Sequence, residues 1–347
     1  MRSPAFIHKL WTVSKRCIKN PLVLLNYIGV LAAGRIKPAV MPFHPISIDV
    51  EPTGRCNFKC RFCQVPSMDR HVPDLTLGNF KKILAEFPYV LRVKIQGMGE
   101  PLLNNELFEI ISYMKSRSIY TFFTTNGSLL TDTNSRKVLA SGVDEIYISL
   151  DGATRETFES IRTGGVFEQV TGNIRRLASM RSKGRPLLNA WTVATRTNAG
   201  ELMNIIRLAG ELGLDGIIIQ QDISFWGKPE FRSRYHDESV TQGDMDNILD
   251  NARALAEELG IGFSLHRSDS YSASSQCMWP WKSTYVSADG YIIPCCVRAD
   301  PQLLNFGNIL ETPFRKIWNG PEYRNLRKSI KSNKVWDYCK DCYSKDS

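Results

Sequence analysis

From residue 45 onward, short apolar runs alternate with longer stretches whose apolar residues recur every three or four positions. The short runs are 46–50, 93–96, 120–124, 145–150, 188–194 and 216–220, rich in β-branched and aromatic side chains. Such runs, bounded by turn residues, read as buried strands. The stretches 78–87, 106–115, 167–180 and 201–212 carry helical spacing. Gly142, Gly184 and Gly213 close candidate helices, because glycine readily takes the left-handed conformation that ends one. Six β/α units in succession predict a parallel sheet with right-handed crossovers. Six strands are two short of a closed eight-stranded barrel. The expectation is therefore an α/β fold, a partial (β/α)6 TIM-like barrel with its chemistry at the C-terminal strand ends. A helix over 244–259 and a strand over 261–266 then lead into a cysteine-bearing tail. Three segments result: an N-terminal helical extension (1–44), the barrel (45–265) and a small C-terminal domain (266–347).

Composition changes this picture little. Of 347 residues, 43% are apolar, enough to build a large domain and a smaller one. The formal charge is +9, but the 44 basic and 35 acidic residues form no long Lys/Arg block. A mixed solvated surface is expected, and nucleic acid is not expected as a partner. The stretch 21–34 is uncharged, yet its 14 residues fall short of a bilayer span. Lys9, Lys15, Arg16 and Lys19 precede it, and Arg35 and Lys37 follow. It reads either as helices packed on the main domain or as peripheral membrane contact through residues 1–40. No cleavable signal pattern is present, so a cytoplasmic location is expected, with membrane association as the alternative. In a reducing compartment, the nine cysteines point to metal rather than disulfides.

Those cysteines fall into two sets. Cys56, Cys60 and Cys63 form CxxxCxxC just after the first strand. Three thiolates on one loop can hold three irons of a cubane cluster and leave the fourth iron open to a small molecule. In the tail stand Cys277, the pair Cys295-Cys296, and the CxxC pair Cys339 and Cys342. Four thiolates from these could close a second cluster with no open iron, a zinc site on the same ligands being the alternative.

The motifs together resemble the radical S-adenosylmethionine (radical SAM) superfamily from about residue 46 to the end. CxxxCxxC follows the first strand, and Gly97-Met98-Gly99-Glu100-Pro101 follows the second. Thr124-Thr125-Asn126-Gly127 ends the third and Ser149-Leu150-Asp151-Gly152 the fourth. The resemblance implies that S-adenosylmethionine chelates the open iron. Reductive cleavage then gives a 5′-deoxyadenosyl radical that removes a hydrogen atom from substrate carbon. It also implies site residues. Phe62 would lie against adenine, or else be a core ring. Gly99 and Glu100 would form the turn at the methionyl ammonium group, with Gly97 as the other glycine that could make the contact. Ser149 and Arg162 would hold the carboxylate, the guanidinium by bidentate bonding, unless Arg162 is a surface residue. Asn126 would touch the cofactor or be the left-handed residue of an Asn-Gly turn. Ile217 and Ile219 would line the adenine pocket or pack as buried strand.

The tail resembles the SPASM/twitch extension of the same superfamily. Supporting residues are Trp279-Pro280-Trp281, Gly290, Gly307-Asn308-Ile309 and Ile317-Trp318-Asn319. The further cysteines of the full SPASM pattern are absent, so one auxiliary 4Fe–4S cluster is expected, two clusters in all. Its ligands would be Cys277, Cys295, Cys339 and Cys342, because Cys295 keeps the Gly-x4-Cys spacing of the pattern.

An auxiliary cluster offers an electron sink, as dehydrogenation requires; epimerisation instead requires a hydrogen-atom donor. Cys296 and Cys17 are the thiols outside both sets. Cys296 is the candidate donor, an inert buried thiol being the alternative. Only 55 residues precede Cys56, and they do not read as the leader-recognition domain of peptide-modifying members. The expected function is therefore an oxidoreductase or epimerase acting on a small molecule such as a sugar, aminocyclitol or lipid-linked group. An electron donor such as flavodoxin or ferredoxin would reduce it. The alternatives are a SPASM-type maturase of a ribosomal peptide and an iron–sulfur electron-transfer protein. The stretch 97–104 resembles a motif of RNA-methylating members, but no RNA-binding module is visible. Thr195, Arg196, Gln220, Gln221, Asp222 and Trp226 are candidate substrate-facing residues at later strand ends.

Overall fold

The computed structural model describes residues 4–68, 70, 72–221, 223–226, 228–240, 242–266 and 276–342. The strands are β1 (Ser47–Val50), β2 (Arg92–Ile95), β3 (Tyr120–Thr125), β4 (Glu145–Ser149), β5 (Leu187–Val193), β6 (Gly216–Gln220), β7 (Gly262–His266), β8 (Ser283–Val286) and β9 (Ile292–Ile293). They form one sheet in the order β7-β6-β5-β4-β3-β2-β1-β8-β9. The first seven fall where the apolar runs predict them, within a residue or two. Pairing is parallel from β3 through β7 and between β1 and β2. The tail adds what the pattern did not predict. β8 pairs in parallel with β1, Asp49 opposite Tyr285, and β9 closes back on β8 antiparallel.

Gly142 caps its helix at φ 73° and Gly213 follows a C-cap at φ 74°. Gly184 differs from expectation. The helix Phe167–Met180 ends at Arg181, and Gly184 lies in the tight turn between Ser182 and Arg185.

The chain divides into two compact units that alternate along the sequence. The first comprises Met1–Gly54, Arg70–Thr121 and Asp269–Ser347, so the N-terminal helices Pro4–Lys19 and Pro21–Ile36 belong with the tail. Trp281 donates its indole N–H to Pro38 O (2.9 Å), and Trp318 donates to Phe43 O (3.0 Å). The buried Arg327 donates to Pro280 O, Ala39 O and Trp318 O. The bonds to Pro38, Ala39 and Phe43 satisfy carbonyls of an irregular segment that has no ladder of its own. Among the described residues, no single helix is long and apolar enough to cross a membrane.

The second unit comprises Arg55–Asp69 and Phe122–Ser268. Its strands alternate with period two. Ile146, Ile148, Leu188, Ala190, Thr192, Ile217 and Ile219 are fully buried, as are Val170, Ile174, Leu177, Ile205 and Ile206 of its helices. The intervening positions Tyr147, Asn189, Trp191 and Ile218 are only half-buried. One face of these strands is thus core, and the other remains accessible.

Candidate metal centres and their surroundings

In the second unit, the loop after β1 carries Cys56, Cys60 and Cys63, none of them in a disulfide. Backbone bonds tie this loop to the segment after helix Arg155–Ile161. Lys59 N–H donates to Thr163 O (2.8 Å), and Arg61 N–H donates to Ile161 O (2.9 Å). Gly164, at φ +94°, supplies the left-handed backbone that lets the two segments run together. Phe58 N–H points at Cys56 Sγ (3.4 Å) and Val65 N–H at Cys63 Sγ (3.5 Å). Such donors stabilise thiolate sulfur and tune a cluster bound to it. Desolvation pushes the Cys63 thiol up to about 12, so a metal must displace its proton.

Arg162 is half-buried beside this loop. Its Nη1 lies 3.8 Å from Cys60 Sγ, and its Nε donates to the Asp151 carboxylate. Desolvation opposes the buried charge, but Asp151 and Cys60 outweigh it and hold the guanidinium protonated. Asp151 also accepts from Val193 N–H (2.7 Å), and its carbonyl accepts from the Asn198 amide (2.9 Å). Arg162 is therefore no surface arginine. The sequence marked Asp151 only as part of a strand-end motif, and nothing in it marked Asn198.

Ser149 ends β4, buried, and stands opposite Trp191 in the β4–β5 register. Asn126 corrects one expectation: the left-handed residue is Gly127 (φ 79°), not Asn126. The Asn126 side chain instead accepts from Ser128 N–H (2.9 Å) and Oγ (2.6 Å) and donates to Asn57 Oδ1 (2.9 Å). It closes an Asx turn and ties the end of β3 to the cysteine loop. Phe62 is half-buried, edge-on to Tyr235 at 5.1 Å, with the Arg61 guanidinium 5.3 Å from its ring centre. Its carbonyl accepts from Trp226 Nε1 (3.2 Å). Ile217 and Ile219 lie on the buried face, as strand packing requires.

Of the candidate substrate-facing residues, Thr195 is buried and bonded to Asn198, and Arg196 donates to Ser239 O. Gln220 accepts from Trp191 Nε1 (3.1 Å). Gln221 is buried, its Oε1 without a hydrogen-bond partner among the described residues. Asp222 lies outside the described residues. A feature absent from the sequence reading is a row of rings across β3, β4, β5 and β7. Phe122 meets Tyr147 at 5.8 Å, Tyr147 meets Trp191 at 5.7 Å, and Trp191 meets His266 at 5.2 Å.

In the first unit, Glu51 follows β1 directly and is fully buried. It accepts from Met98 N–H (3.2 Å), Ala288 N–H (3.0 Å) and Arg70 Nη1 (2.8 Å). Burial still lifts its pKa above the usual carboxylate range. A Cβ on Gly97 would sit 2.3 Å from Glu51 Cγ. Gly97 is thus required by the protein's own Glu51. Glu100 is buried and caps the short helix Pro101–Leu103 through Leu102 N–H (3.2 Å).

The tail cysteines sort themselves. Desolvation pushes the Cys295 thiol far up, and Cys296, Cys339, Cys342 and Cys277 lie close enough to push it further. Cys296 instead hydrogen-bonds the Asp49 carboxylate and packs against Tyr285, Ile293 and Ala299. Asp49 stands in register with Lys94 and Tyr285. Among the described residues, no three Cys, His, Asp or Glu side chains converge as a single metal ion requires. A cubane, with one thiolate per iron, asks for wider spacing than tetrahedral zinc.

Comparison with known proteins agrees. Residues 50–209 match the radical SAM superfamily, and residues 277–343 match the SPASM iron–sulfur cluster-binding domain. The AdoMet-dependent heme synthase of Methanosarcina barkeri is 30% identical over 311 residues, 82% of this chain and 85% of that protein. The PqqA peptide cyclase of Gluconobacter oxydans is 24% identical over 316 residues, 88% and 85% of the two chains. Among solved structures, Streptococcus suis SuiB bound to precursor peptide SuiA shares the fold. Its TM-score is 0.68 at 15% identity, over 82% of this chain and 67% of that one. The matches imply S-adenosylmethionine, a 4Fe–4S cluster that binds it, and auxiliary iron–sulfur binding in the tail. The residues fit these groups: three thiols with N–H donors and a cation on one loop, and four thiols in the tail.

Proposed function

The chain belongs to the radical SAM superfamily and carries a SPASM region, and from that premise we propose an oxidoreductase or epimerase that removes a hydrogen atom from a compact small molecule, such as a sugar, an aminocyclitol or a lipid-linked group. When bound, the cluster and S-adenosylmethionine supply the abstracting 5′-deoxyadenosyl radical. Cys56, Cys60 and Cys63 hold the cluster, and Arg162 braces Cys60 through its bond to Asp151. Phe62 packs on the adenine, Gly99 and Glu100 serve the ammonium group, and Ser149 and Arg162 serve the carboxylate, while Asn126 keeps the cysteine loop in place. In the tail, Cys277, Cys295, Cys339 and Cys342 hold one auxiliary cluster. A flavodoxin or ferredoxin is the proposed electron donor.

The observation that carries the small-molecule reading is the row Phe122–Tyr147–Trp191–His266. Rings that brace one another present a rigid wall, buried at Phe122, half-buried at Tyr147 and Trp191 and exposed at His266, the usual lining of a small-molecule site. Gln220, bonded to Trp191, fixes the tilt of the indole. The row stands beside Ser149 in register, next to where the cofactor would be held. If the product is an epimer, Cys296, held on Asp49, donates the returning hydrogen atom.

The second reading, peptide maturation, rests on the likeness to the PqqA peptide cyclase and to SuiB with its peptide. Anaerobic incubation with deuterated metabolites and deuterated peptides separates the two. Deuterium in 5′-deoxyadenosine from a compact compound is expected. Transfer from peptides alone would overturn the small-molecule reading, and no nucleoside product at all would favour an electron-transfer role.

A further inference from the structure

The helix Pro21–Ile36 is apolar on both sides and exposes a row of large apolar residues on the outer one. Its buried side carries Val23, Asn26, Gly29, Val30 and Ala33. Its outer side carries Leu22, Leu25 (61% exposed), Ile28 (54%), Leu31 (49%) and Ile36 (66%). Ile18, at the end of the preceding helix, is 81% exposed and extends the same row. A water-facing helix normally shows the opposite arrangement. Rotation about the helix axis is blocked, because the buried Asn26 amide donates to His44 O (3.0 Å) and accepts from His44 N–H (2.9 Å). A lone exposed leucine calls for no explanation, but a contiguous row marks an interaction surface.

Charge says what covers it. The first 48 residues hold seven basic residues and no acidic one, whereas the remaining 37 basic residues face 35 acidic ones. Nearly all the excess positive charge of the chain is gathered here. Lys19 and Arg35 are exposed at the two ends of the apolar row. The helix has 16 residues and is bent by 117° from its neighbour. At 1.5 Å per residue it reaches about 24 Å, less than a hydrocarbon core of about 30 Å. It is built to lie on a bilayer, not to cross one.

We propose that this face docks flat on an anionic membrane surface, with Leu22, Leu25, Ile28 and Leu31 at the acyl boundary and Lys19 and Arg35 at the lipid phosphates. A second copy of the chain is the poorer occupant, because a two-fold interface would set two such basic clusters against each other. Docking of this kind is independent of which substrate the enzyme takes.

Flotation of the anaerobically reconstituted full chain with lipid vesicles tests the proposal. Binding to phosphatidylcholine vesicles containing phosphatidylglycerol is expected to exceed binding to pure phosphatidylcholine by at least about tenfold and to fall with salt. The double variant Leu25→Glu/Ile28→Glu should lower it by about tenfold or more. Lys19→Gln/Arg35→Gln should lower it too and flatten the salt dependence, and both variants should retain the iron content of the parent. Equal binding to both vesicles, or binding to neither, overturns the proposal. So does a concentration-dependent dimer in light scattering that Ile28→Glu abolishes, which would assign the face to self-association.

Discussion

The two cysteine constellations are assembled differently. The front set places three thiols on one continuous loop, with backbone N–H groups aimed at two sulfurs and the Arg162 guanidinium beside the third. The tail set draws its thiols from separated segments and gathers them around Cys295, whose own thiolate is disfavoured by burial and by the neighbouring sulfurs. Positive charge and N–H donors suit a site that must hold a charged ligand and accept an electron. Thiols gathered from separated segments suit a closed site that binds no outside ligand. The difference teaches that the front site is one local loop motif, whereas the tail site depends on segments that only the fold brings together.

Substitutions that strike one set and spare the other test this contrast most severely. Cys60→Ala should remove about four of roughly eight irons and abolish formation of 5′-deoxyadenosine, by about a thousandfold or more. Cys339→Ala should remove a similar share of iron yet leave nucleoside formation measurable by chromatography. Within the tail, Cys295→Ser should lose about four irons, while Cys296→Ser should keep the full complement. An iron loss in the second variant would reverse the assignment of the adjacent pair.

Smaller effects probe the surroundings of each set. Arg162→Ala strands the buried Asp151 carboxylate and should cost about 3–5 kcal/mol, read as a lower urea midpoint under anaerobic conditions. Gly97→Ala forces a Cβ into Glu51 and should cost about 1–3 kcal/mol by the same assay. The alanine variant of Gly99 should weaken S-adenosylmethionine binding more than it lowers the midpoint.

The first seven strands were legible because a buried parallel strand is a run of apolar residues, and runs can be counted. β8 was not, because its residues Ser283–Val286 gain strand character from lying beside β1, more than 200 residues away in sequence. Spacing alone pointed to Cys295, and the contrast between its thiol neighbours and the bond from Cys296 to Asp49 supports that choice. Glu51, Arg70 and Asp151 were missed as a class. Buried charges are recognised by their partners, and partners distant in sequence leave no local signal. Asn126 reads from sequence either as a cofactor contact or as the left-handed residue of an Asn-Gly turn; the left-handed residue is Gly127, while Asn126 supplies the side chain that closes the turn. The aromatic row could not be read at all, since its four rings come from four strands and meet only through register.

The account stands on an iron that no residue of the CxxxCxxC loop occupies and that S-adenosylmethionine fills. Electron paramagnetic resonance of the dithionite-reduced Cys295→Ser protein, with and without S-adenosylmethionine, reads that iron with the least interference. A clear change in the signal on addition, lost in Cys60→Ala, is predicted. An identical spectrum with and without the ligand would contradict it.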